Sequence, residues 1–364
     1  MIVNEVTGIL EELAPLAYAE DFDNVGLLIG DKNMEVTGIL VTLDTLENVV
    51  DEAIEKNCNL IISFHPIIFS GLKKITGKNY VERVVLKCIK NDIALYSMHT
   101  ALDNARIGVN SKICEVLGIQ NPKILIPQKG TIKKLTTYVP KAHAQELKEA
   151  LFRAGAGNIG NYSNCSFSVN GTGSYKAGEN ANPTIGEIGQ VHYEEETQIS
   201  VTYAKADQSH IINALIQTHP YEEVAYEIHT LENKNQHIGI GMVGILKKPM
   251  DEEEFMKWVK KQMNVSCIRH SNLMGKKIKK VAVLGGSGSF AIAAAIGAKA
   301  DIFITADLKY HQFYEAENKI VLADIGHFET EQFTKNLLVD HLTKKIPNFA
   351  ISLAESITNP IKYF

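Results

Sequence analysis

The sequence predicts an α/β protein: a split α/β domain with mixed and parallel sheets, interrupted by a ferredoxin-like insert of order βαββαβ. Three observations carry this prediction. Strand-like apolar runs alternate with helical periodicity over residues 1–128, the same alternation returns over residues 236–364, and the rhythm between them is different. Strands that alternate with helices are typical of parallel sheets covered by helices. A length of 364 residues also favours more than one hydrophobic core.

The first segment, residues 1–128, begins with an amphipathic helix, whose apolar stripe is formed by Val6, Ile9, Leu10 and Leu13. Strands and helices then follow in alternation. The strands are predicted at 38–43, 59–62 and 93–98, and the helices at 46–56, 81–91 and 109–117. This order predicts parallel pairing of the strands.

The middle segment, residues 130–235, is predicted to form the separate insert domain. Its strands are predicted at 135–139, 165–169, 198–204 and 224–229, and its helices at 143–154 and 209–218. A glycine-rich stretch separates the two middle strands, which predicts a long hairpin connection. Its glycines are Gly171, Gly173, Gly178, Gly186 and Gly189.

The final segment, residues 236–364, completes the split domain begun by residues 1–128. Strands are predicted at 280–284, 302–305 and 320–323, and helices at 253–263, from about Tyr310, and at 330–345. We therefore expect the strands of both outer segments to belong to one α/β domain.

Composition excludes several classes of protein. The formal charge of −5 shows no overall excess of basic residues that would indicate nucleic-acid binding, although a local basic groove is compatible with it. The N-terminus lacks the features of a signal peptide, and no apolar run is long enough to cross a membrane. Five scattered cysteines without a CxxC pair indicate a reducing compartment, so we expect a cytoplasmic protein.

Metal-binding side chains follow three of the predicted strands. His65 follows the strand at 59–62, His99 and Asp103 follow the strand at 93–98, and His327 and Glu331 follow the strand at 320–323. Because ligands bind at the carboxyl ends of strands in open α/β sheets, we expect these side chains to converge. Nitrogen and carboxylate ligands without thiolates fit Zn²⁺, Fe²⁺ or Mn²⁺.

Each of these signals also has a simpler interpretation. His65 would pack between aromatic neighbours, Asp103 would cap a helix, and Glu329 and Glu331 would favour a first helical turn through the macrodipole. The spacing of four between His327 and Glu331 puts them on one helical face, while Glu329 faces elsewhere. The joint occurrence at three strand ends favours the metal site.

Two further motifs lie in the final segment. The loop Gly285-Gly286-Ser287-Gly288 follows a strand and opens a helix, as a phosphate loop would, but a tight turn that packs a helix on a sheet explains it better. Asp307 follows another strand, with His311 just beyond it. Asp307 either caps the next helix or serves with His311 as an acid-base pair beside a metal site.

These residues resemble the dinuclear-metal-centre family of GTP cyclohydrolase 1 type 2 homologues, also called the NGG1-interacting-factor-3-like family. The resemblance runs almost from end to end. The segments that carry it are Phe22-Asp23-Asn24-Val25-Gly26-Leu27-Leu28-Ile29-Gly30, His65-Pro66-Ile67-Ile68-Phe69, His99-Thr100-Ala101-Leu102-Asp103, Thr305-Ala306-Asp307 with Tyr310-His311, and Gly326-His327 with Glu331. Residues 155–162 and 219–224 resemble the insert of longer bacterial members, which is similar to CutA and PII-like folds.

The resemblance implies two divalent metal ions, Zn, Fe or Mn, bound by His65, Asp103, His327 and Glu331, with Glu331 as the bridge. It also implies a homohexameric ring whose sites face an inner cavity. The family has tryptophan at the position of Phe22 and usually has histidine at that of Phe64. Phenylalanine cannot ligate a metal, so one site loses a ligand, for which His99 is the best substitute.

Three functions follow from this interpretation. The first is a metal-dependent hydrolase acting on a nucleotide or another phosphorylated small molecule. The alternative is a non-catalytic metal-binding or regulatory ring whose insert senses a ligand. A nucleic-acid-binding ring is disfavoured by the negative charge, and no membrane partner is expected.

Overall fold

The chain folds into two compact units. The computed structural model describes all 364 residues. The first unit joins Met1–Pro127 to Gln236–Phe364, and the second is Gln128–Asn235. No helix is both long enough and apolar enough to span a membrane.

The strands and helices are numbered in chain order. The strands are β1 (Gly26–Ile29), β2 (Ile39–Thr42), β3 (Leu60–Ser63), β4 (Ala94–Ser97), β5 (Ile119–Gln128), β6 (Ile132–Pro140), β7 (Phe167–Lys176), β8 (Val191–Ala204), β9 (Tyr226–Leu231), β10 (Asn235–Asp251), β11 (Arg269–His270), β12 (Lys277–Ser287), β13 (Ile302–Ala306), β14 (Val321–Asp324) and β15 (Ile351–Leu353). The α-helices are α1 (Val3–Leu13), α2 (Glu47–Glu55), α3 (Tyr80–Lys90), α4 (His99–Asn104), α5 (Val109–Val116), α6 (Ala144–Arg153), α7 (Gln208–Thr218), α8 (Glu252–Gln262), α9 (Ile292–Gly297), α10 (His327–Glu331) and α11 (Thr334–Lys345).

One sheet of the first unit has the order β1-β4-β3-β2-β15. Its strands β15, β2, β3 and β4 are parallel, and β1 runs antiparallel to β4. The central strands are apolar and buried on both faces, as expected for a parallel sheet covered by helices. Thr42 pairs with Ser63, and Ser63 pairs with Ser97. Three strands therefore end in register, and the residues that follow them start from one edge.

The other sheet of the first unit has the order β11-β14-β13-β12-β10-β5. Strands β12, β13 and β14 are parallel, with Ser287 opposite Ala306 and Thr305 opposite Asp324. Their carboxyl ends also form one edge. The first unit is thus a mixed α/β domain with two sheets, each with three adjacent parallel strands that end together.

Two predicted helices of the final segment differ in the structure. The predicted helix at 330–345 is divided into α10 and α11. The side-chain amide of Gln332 donates hydrogen bonds to the carbonyl oxygens of Glu329 and Met263, at 3.0 and 2.7 Å. The side chain thus competes for a carbonyl that a continuous helix would use. The predicted helix near Tyr310 is a 3₁₀ helix, Tyr310–Ala316, and it ends at the left-handed residue Glu317.

The second unit has a four-stranded antiparallel sheet in the order β7-β8-β6-β9. Helices α6 and α7 supply apolar side chains to a core shared with one face of this sheet. Strands β7 and β8 pair continuously from Phe167 with Ser200 to Lys176 with Val191, so both are longer than predicted. Gly171 and Gly173 therefore lie within β7, not in the connection.

The second unit interrupts the first between two neighbouring strands of one sheet, because β5 enters it and β10 leaves it. Replacing residues 130–235 by a short glycine-serine linker should therefore leave a folded first unit with the same metal content as the full chain. The measurements are circular dichroism and metal content after purification without chelator. A truncated protein that folds cooperatively but holds no metal contradicts the prediction.

Candidate metal centre

His65 leaves the carboxyl end of β3 and is fixed by its neighbours. Its backbone N–H donates to the carbonyl oxygen of Leu43 at 2.9 Å, which ties it to the end of the adjacent strand. Its Nδ1 lies 2.8 Å from Oδ1 of Asp44, and Oδ2 of Asp44 accepts a hydrogen bond from Thr358 at 2.8 Å. A carboxylate on Nδ1 keeps a proton on that atom, so Nε2 is the atom that can bind a metal once it has lost its own proton.

His327 is held in the same manner in the other sheet. It is the first residue of α10, and its Nδ1 lies 2.6 Å from Oδ2 of Asp307, which follows β13. Ser287, at the end of β12, donates a further hydrogen bond to the same carboxylate oxygen. Asp307 adopts the left-handed backbone conformation, φ +57°, and does not cap a helix through its side chain.

Both imidazoles converge on the carboxylate of Glu331. The Nε2 atoms of His65 and His327 lie 3.1 and 3.3 Å from Glu331 Oε2, yet this buried oxygen accepts no hydrogen bond. Two ligand atoms about 2.0–2.2 Å from one ion, at octahedral or tetrahedral angles, lie roughly 2.8–3.6 Å apart. The three side chains, whose ligand atoms all lie within 4.8 Å of one another, therefore fit a divalent cation.

Asp103 adds an orphaned carboxylate oxygen. It lies on α4, is only 8% exposed, and its Oδ1 has no hydrogen-bond partner. A buried carboxylate without a partner is costly unless a cation compensates it. Burial, followed by the nearby charge of Glu331, raises the pKa of Asp103 well above its usual value.

His99 also has a carboxylate behind its ring. The ring Nδ1 lies 2.8 Å from Asp23 Oδ1, and the backbone N–H of Thr100 donates to Asp23 Oδ2 at 3.0 Å. The ring centroid of His99 lies 5.3 Å from that of His65. Phe64 is fully buried, with its ring 4.9 Å from His65 and 5.6 Å from His99. Phe64 is therefore adjacent to both rings.

The glycine-rich loop forms a wall of this site. The backbone N–H groups of Gly285 and Gly286 donate to Asn110 and Thr330, at 3.0 and 2.9 Å, and are not free for a phosphate. A Cβ on Gly286 would lie 2.5 Å from Glu331 Oε1, and its φ is +68°. Glycine is required here because the carboxylate of Glu331 occupies the space of a side chain.

The charged side chains of the cluster shift one another's pKa values. Burial lowers the pKa of His65, but the carboxylates of Asp44 and Glu331 outweigh it and raise that pKa to about 10. The same balance, with Glu331 and Asp307, raises the pKa of His327 to about 9. Burial alone would raise the pKa of Glu331, yet the two imidazoles hold it at about 2. Without a metal, protons on the imidazoles therefore compensate the buried carboxylate.

Glu329, which was expected to face elsewhere, and the predicted site residue His311 both lie apart from the Glu331 carboxylate. Glu329 points away from it, since Asn359 donates to its Oε1 at 3.2 Å and its Oε2 lies beside Gly326. His311 is exposed and its ring contacts Tyr310 and Tyr314. The acid-base role of Asp307 and His311 stays a prediction, and Asp307 is in contact with His327.

Sequence reasoning missed Asp44 and Asp23 as partners of the histidines. Asp44 carried a signal, because it follows the predicted strand at 38–43 as His65 follows the next strand. Pairing these strands in parallel and in register would have brought the two residues together. Asp23 lies far from His99 in sequence and outside any strand, so only its place in the resembling segment marked it.

Fold and site together define an α/β protein with a histidine-carboxylate cluster at the carboxyl edges of two sheets. A family model described as Duf34/NIF3 (NGG1p interacting factor 3) matches residues 1–360. The chain belongs to this family.

Relatives match over nearly the whole chain. A Bacillus subtilis protein named GTP cyclohydrolase 1 type 2 homolog is 38% identical, over 99% of this chain and 98% of the relative. A protein of the same name from Halalkalibacterium halodurans is 38% identical, over 93% of this chain and 91% of the relative. The crystal structure of a Bacillus cereus protein related to NIF3 is 37% identical with a TM-score of 0.85, covering 100% of this chain and 99% of that one.

Glu331→Gln should lower the metal content of protein purified without chelator by about tenfold or more, because it removes the charge that both imidazoles face. Glu329→Gln is the matched control, since it makes the same change two residues earlier on α10, where Asn359 is the neighbour. Elemental analysis of both variants is the measurement. Equal metal content in the two contradicts the assignment of Glu331.

Metal affinity should rise with pH, because a cation must displace the protons that raised pKa values keep on His65 and His327 in the metal-free protein. Loss of one or two protons predicts an increase of about ten- to hundredfold per pH unit below the pKa values. Competition with a chromophoric chelator between about pH 6 and 8 measures it. An affinity independent of pH would show that the imidazoles are not ligands.

Proposed function

We propose that this protein binds divalent metal through His65, Asp103, His327 and Glu331 and uses it to hydrolyse a nucleotide or another phosphorylated small molecule. One observation carries the proposal. Two imidazole rings, each held by a carboxylate on Nδ1, point their Nε2 atoms to one buried oxygen of Glu331 that has no hydrogen-bond partner. Hydrogen bonding within the protein leaves that arrangement incomplete, and a cation completes it.

When bound, divalent ions would lower the pKa of water and polarise an oxygen of the substrate. The chain's residues would hold and orient these ions. Asp44 and Asp307 fix the ring orientation of His65 and His327, and Ser287 fixes Asp307. Asp307 also carries a pKa below its usual value, because the hydrogen bonds from His327 and Ser287 outweigh its partial burial. We therefore assign Asp307 to positioning.

We further propose that the site would hold two ions, Zn, Fe or Mn, and that Glu331 would contribute to binding both. His99 would serve the second ion, because its Nδ1 is held by Asp23 and its ring adjoins that of His65. The ring faces of Phe22 and Phe69, whose centroids lie 6.5 Å apart, stand exposed near His99. They would supply apolar contact to a substrate or to another copy in the homohexameric ring.

We also propose that the second unit is a ferredoxin-like module of the CutA and PII-like kind. Its support is the element order β6-α6-β7-β8-α7-β9 with the strand order β7-β8-β6-β9. This supports the second candidate function, a regulatory metal-binding ring with a ligand-sensing insert. A cavity of about 580 Å³ within this unit is the specific observation that favours it.

The test begins with elemental analysis of protein purified without chelator. The metal-loaded protein is then assayed against nucleotides and phosphoesters with added Mn²⁺, Zn²⁺ or Fe²⁺, with Glu331→Gln as the inactive control. Turnover by the natural protein, with none by Glu331→Gln, supports the hydrolase. Full metal occupancy without turnover favours the regulatory ring, and absence of metal under all conditions overturns both.

The two metal positions should differ in affinity because of Phe64, which offers no ligand beside His65 and His99. Stepwise titration should show one strong and one weak event. Phe64→His should bring them together by adding an imidazole, while Phe64→Leu, the control, should leave them apart. Two equally tight sites in the natural protein refute the idea, unless His99→Ala abolishes one of them.

A further inference from the structure

A cavity of about 580 Å³ lies wholly within the second unit. Its floor is the face of the sheet opposite the helices, formed by β7, β8 and Tyr138 of β6. The connection at 177–190 and the segment after α7 cover it. Its size falls within the usual range for small-molecule sites, about 300–1,000 Å³.

Hydrogen bonds hold this cover in place. The hydroxyl of Tyr175 donates to the carbonyl oxygen of Ile185 at 2.6 Å, and that of Thr184 donates to Pro220 at 2.8 Å. The backbone N–H of Asn182 donates to Glu222 at 2.8 Å. The connection is thereby fastened to both walls, so the cavity is a built feature of the unit.

Two glycines create the space. Gly171 and Gly173 are alternate residues of β7 and therefore face the same side of the sheet. A Cβ on Gly173 would lie 2.1 Å from Glu196 Oε2, so the carboxylate occupies the space of a side chain. A Cβ on Gly171 would meet no atom within 4 Å, so the space beside Glu196 stays open.

The lining has the chemistry of a cation site. It contains three tyrosines, Tyr138, Tyr175 and Tyr221, and three carboxylates, Glu196, Glu222 and Glu223, with no lysine, arginine or histidine. Tyr221 donates to Glu196 at 2.9 Å, and its ring lies 5.8 Å from that of Tyr175. Carboxylates without basic partners repel anions, which excludes the phosphorylated substrates proposed for the metal centre.

We infer that this cavity binds an organic cation with an ammonium or quaternary ammonium head. Aromatic rings attract such heads through their quadrupoles, and Glu196 supplies the countercharge. The cavity thus recognises a ligand of opposite charge to the substrate proposed for the metal centre.

The test uses the full chain and three probes that have nearly the same shape but differ in charge. They are choline, its uncharged carbon isostere 3,3-dimethylbutan-1-ol, and the anion 3,3-dimethylbutanoate. Ligand-observed NMR titration should show choline binding about tenfold or more tightly than the isostere, with no binding of the anion. Equal binding of choline and its isostere overturns the inference, as does binding of the anion.

Glu196→Gln should weaken choline binding by about tenfold and leave the isostere unchanged. Glu195→Gln is the control, because it removes the same charge one residue earlier on β8, outside the cavity lining, and should change neither. If both variants weaken choline binding equally, the attraction comes from the negative charge of the region and not from Glu196 in the cavity, and the inference fails.

Gly171→Val tests the cavity without relying on Glu196. Its side chain would enter open space from a strand, so the fold should persist, as thermal melting will verify. It should abolish choline binding and leave metal content unchanged. Undiminished choline binding by the folded variant places the ligand elsewhere and overturns the proposal, whereas metal content reports separately on the proposed hydrolase.

Discussion

The buried carboxylate of Glu331 is the constraint on which the first unit depends. The residue is only 3% exposed, and a carboxylate removed from water must be compensated by positive charge. That charge comes from His65 in one sheet and His327 at the edge of the other, so the cluster ties the two sheets together. Asp44 and Asp307, which follow neighbouring strands, in turn position the rings of His65 and His327. The pairing of the strands thus places the aspartates, the aspartates orient the imidazole rings, and the rings face Glu331.

The sequence predicted the parallel strands of the first unit well, because each is a short apolar run between helical segments. His65, His327 and Glu331 were recognisable because metal-binding types followed three such runs. Asp44, which holds the ring of His65, was not recognised, since identifying it needs the order of strands in the sheet. Strand β7 was predicted too short because Gly171 and Gly173 weaken the local signal, whereas pairing with β8 supplies its stability.

The two units gather carboxylates in two different chemical settings. The first gathers imidazoles and carboxylates around a site suited to cations that themselves attract phosphate oxygens. The second presents tyrosines and carboxylates around an apolar cavity. The family model matches residues 1–360 and the Bacillus cereus structure covers the whole chain, so these matches span both units. The chain therefore carries two distinct chemistries within a single family fold.

The split of the site across the chain has a consequence for its synthesis. Roughly 230 residues separate Asp103 from Glu331, so a ribosome needs about 10–50 s to pass from one to the other. Throughout that interval the nascent chain carries His65, His99 and Asp103 without the carboxylate that joins them to His327. Metal captured then would be held by an incomplete set of ligands and lost easily. Stable loading with the proposed metal would require the finished chain, when the last helices dock against the first sheet.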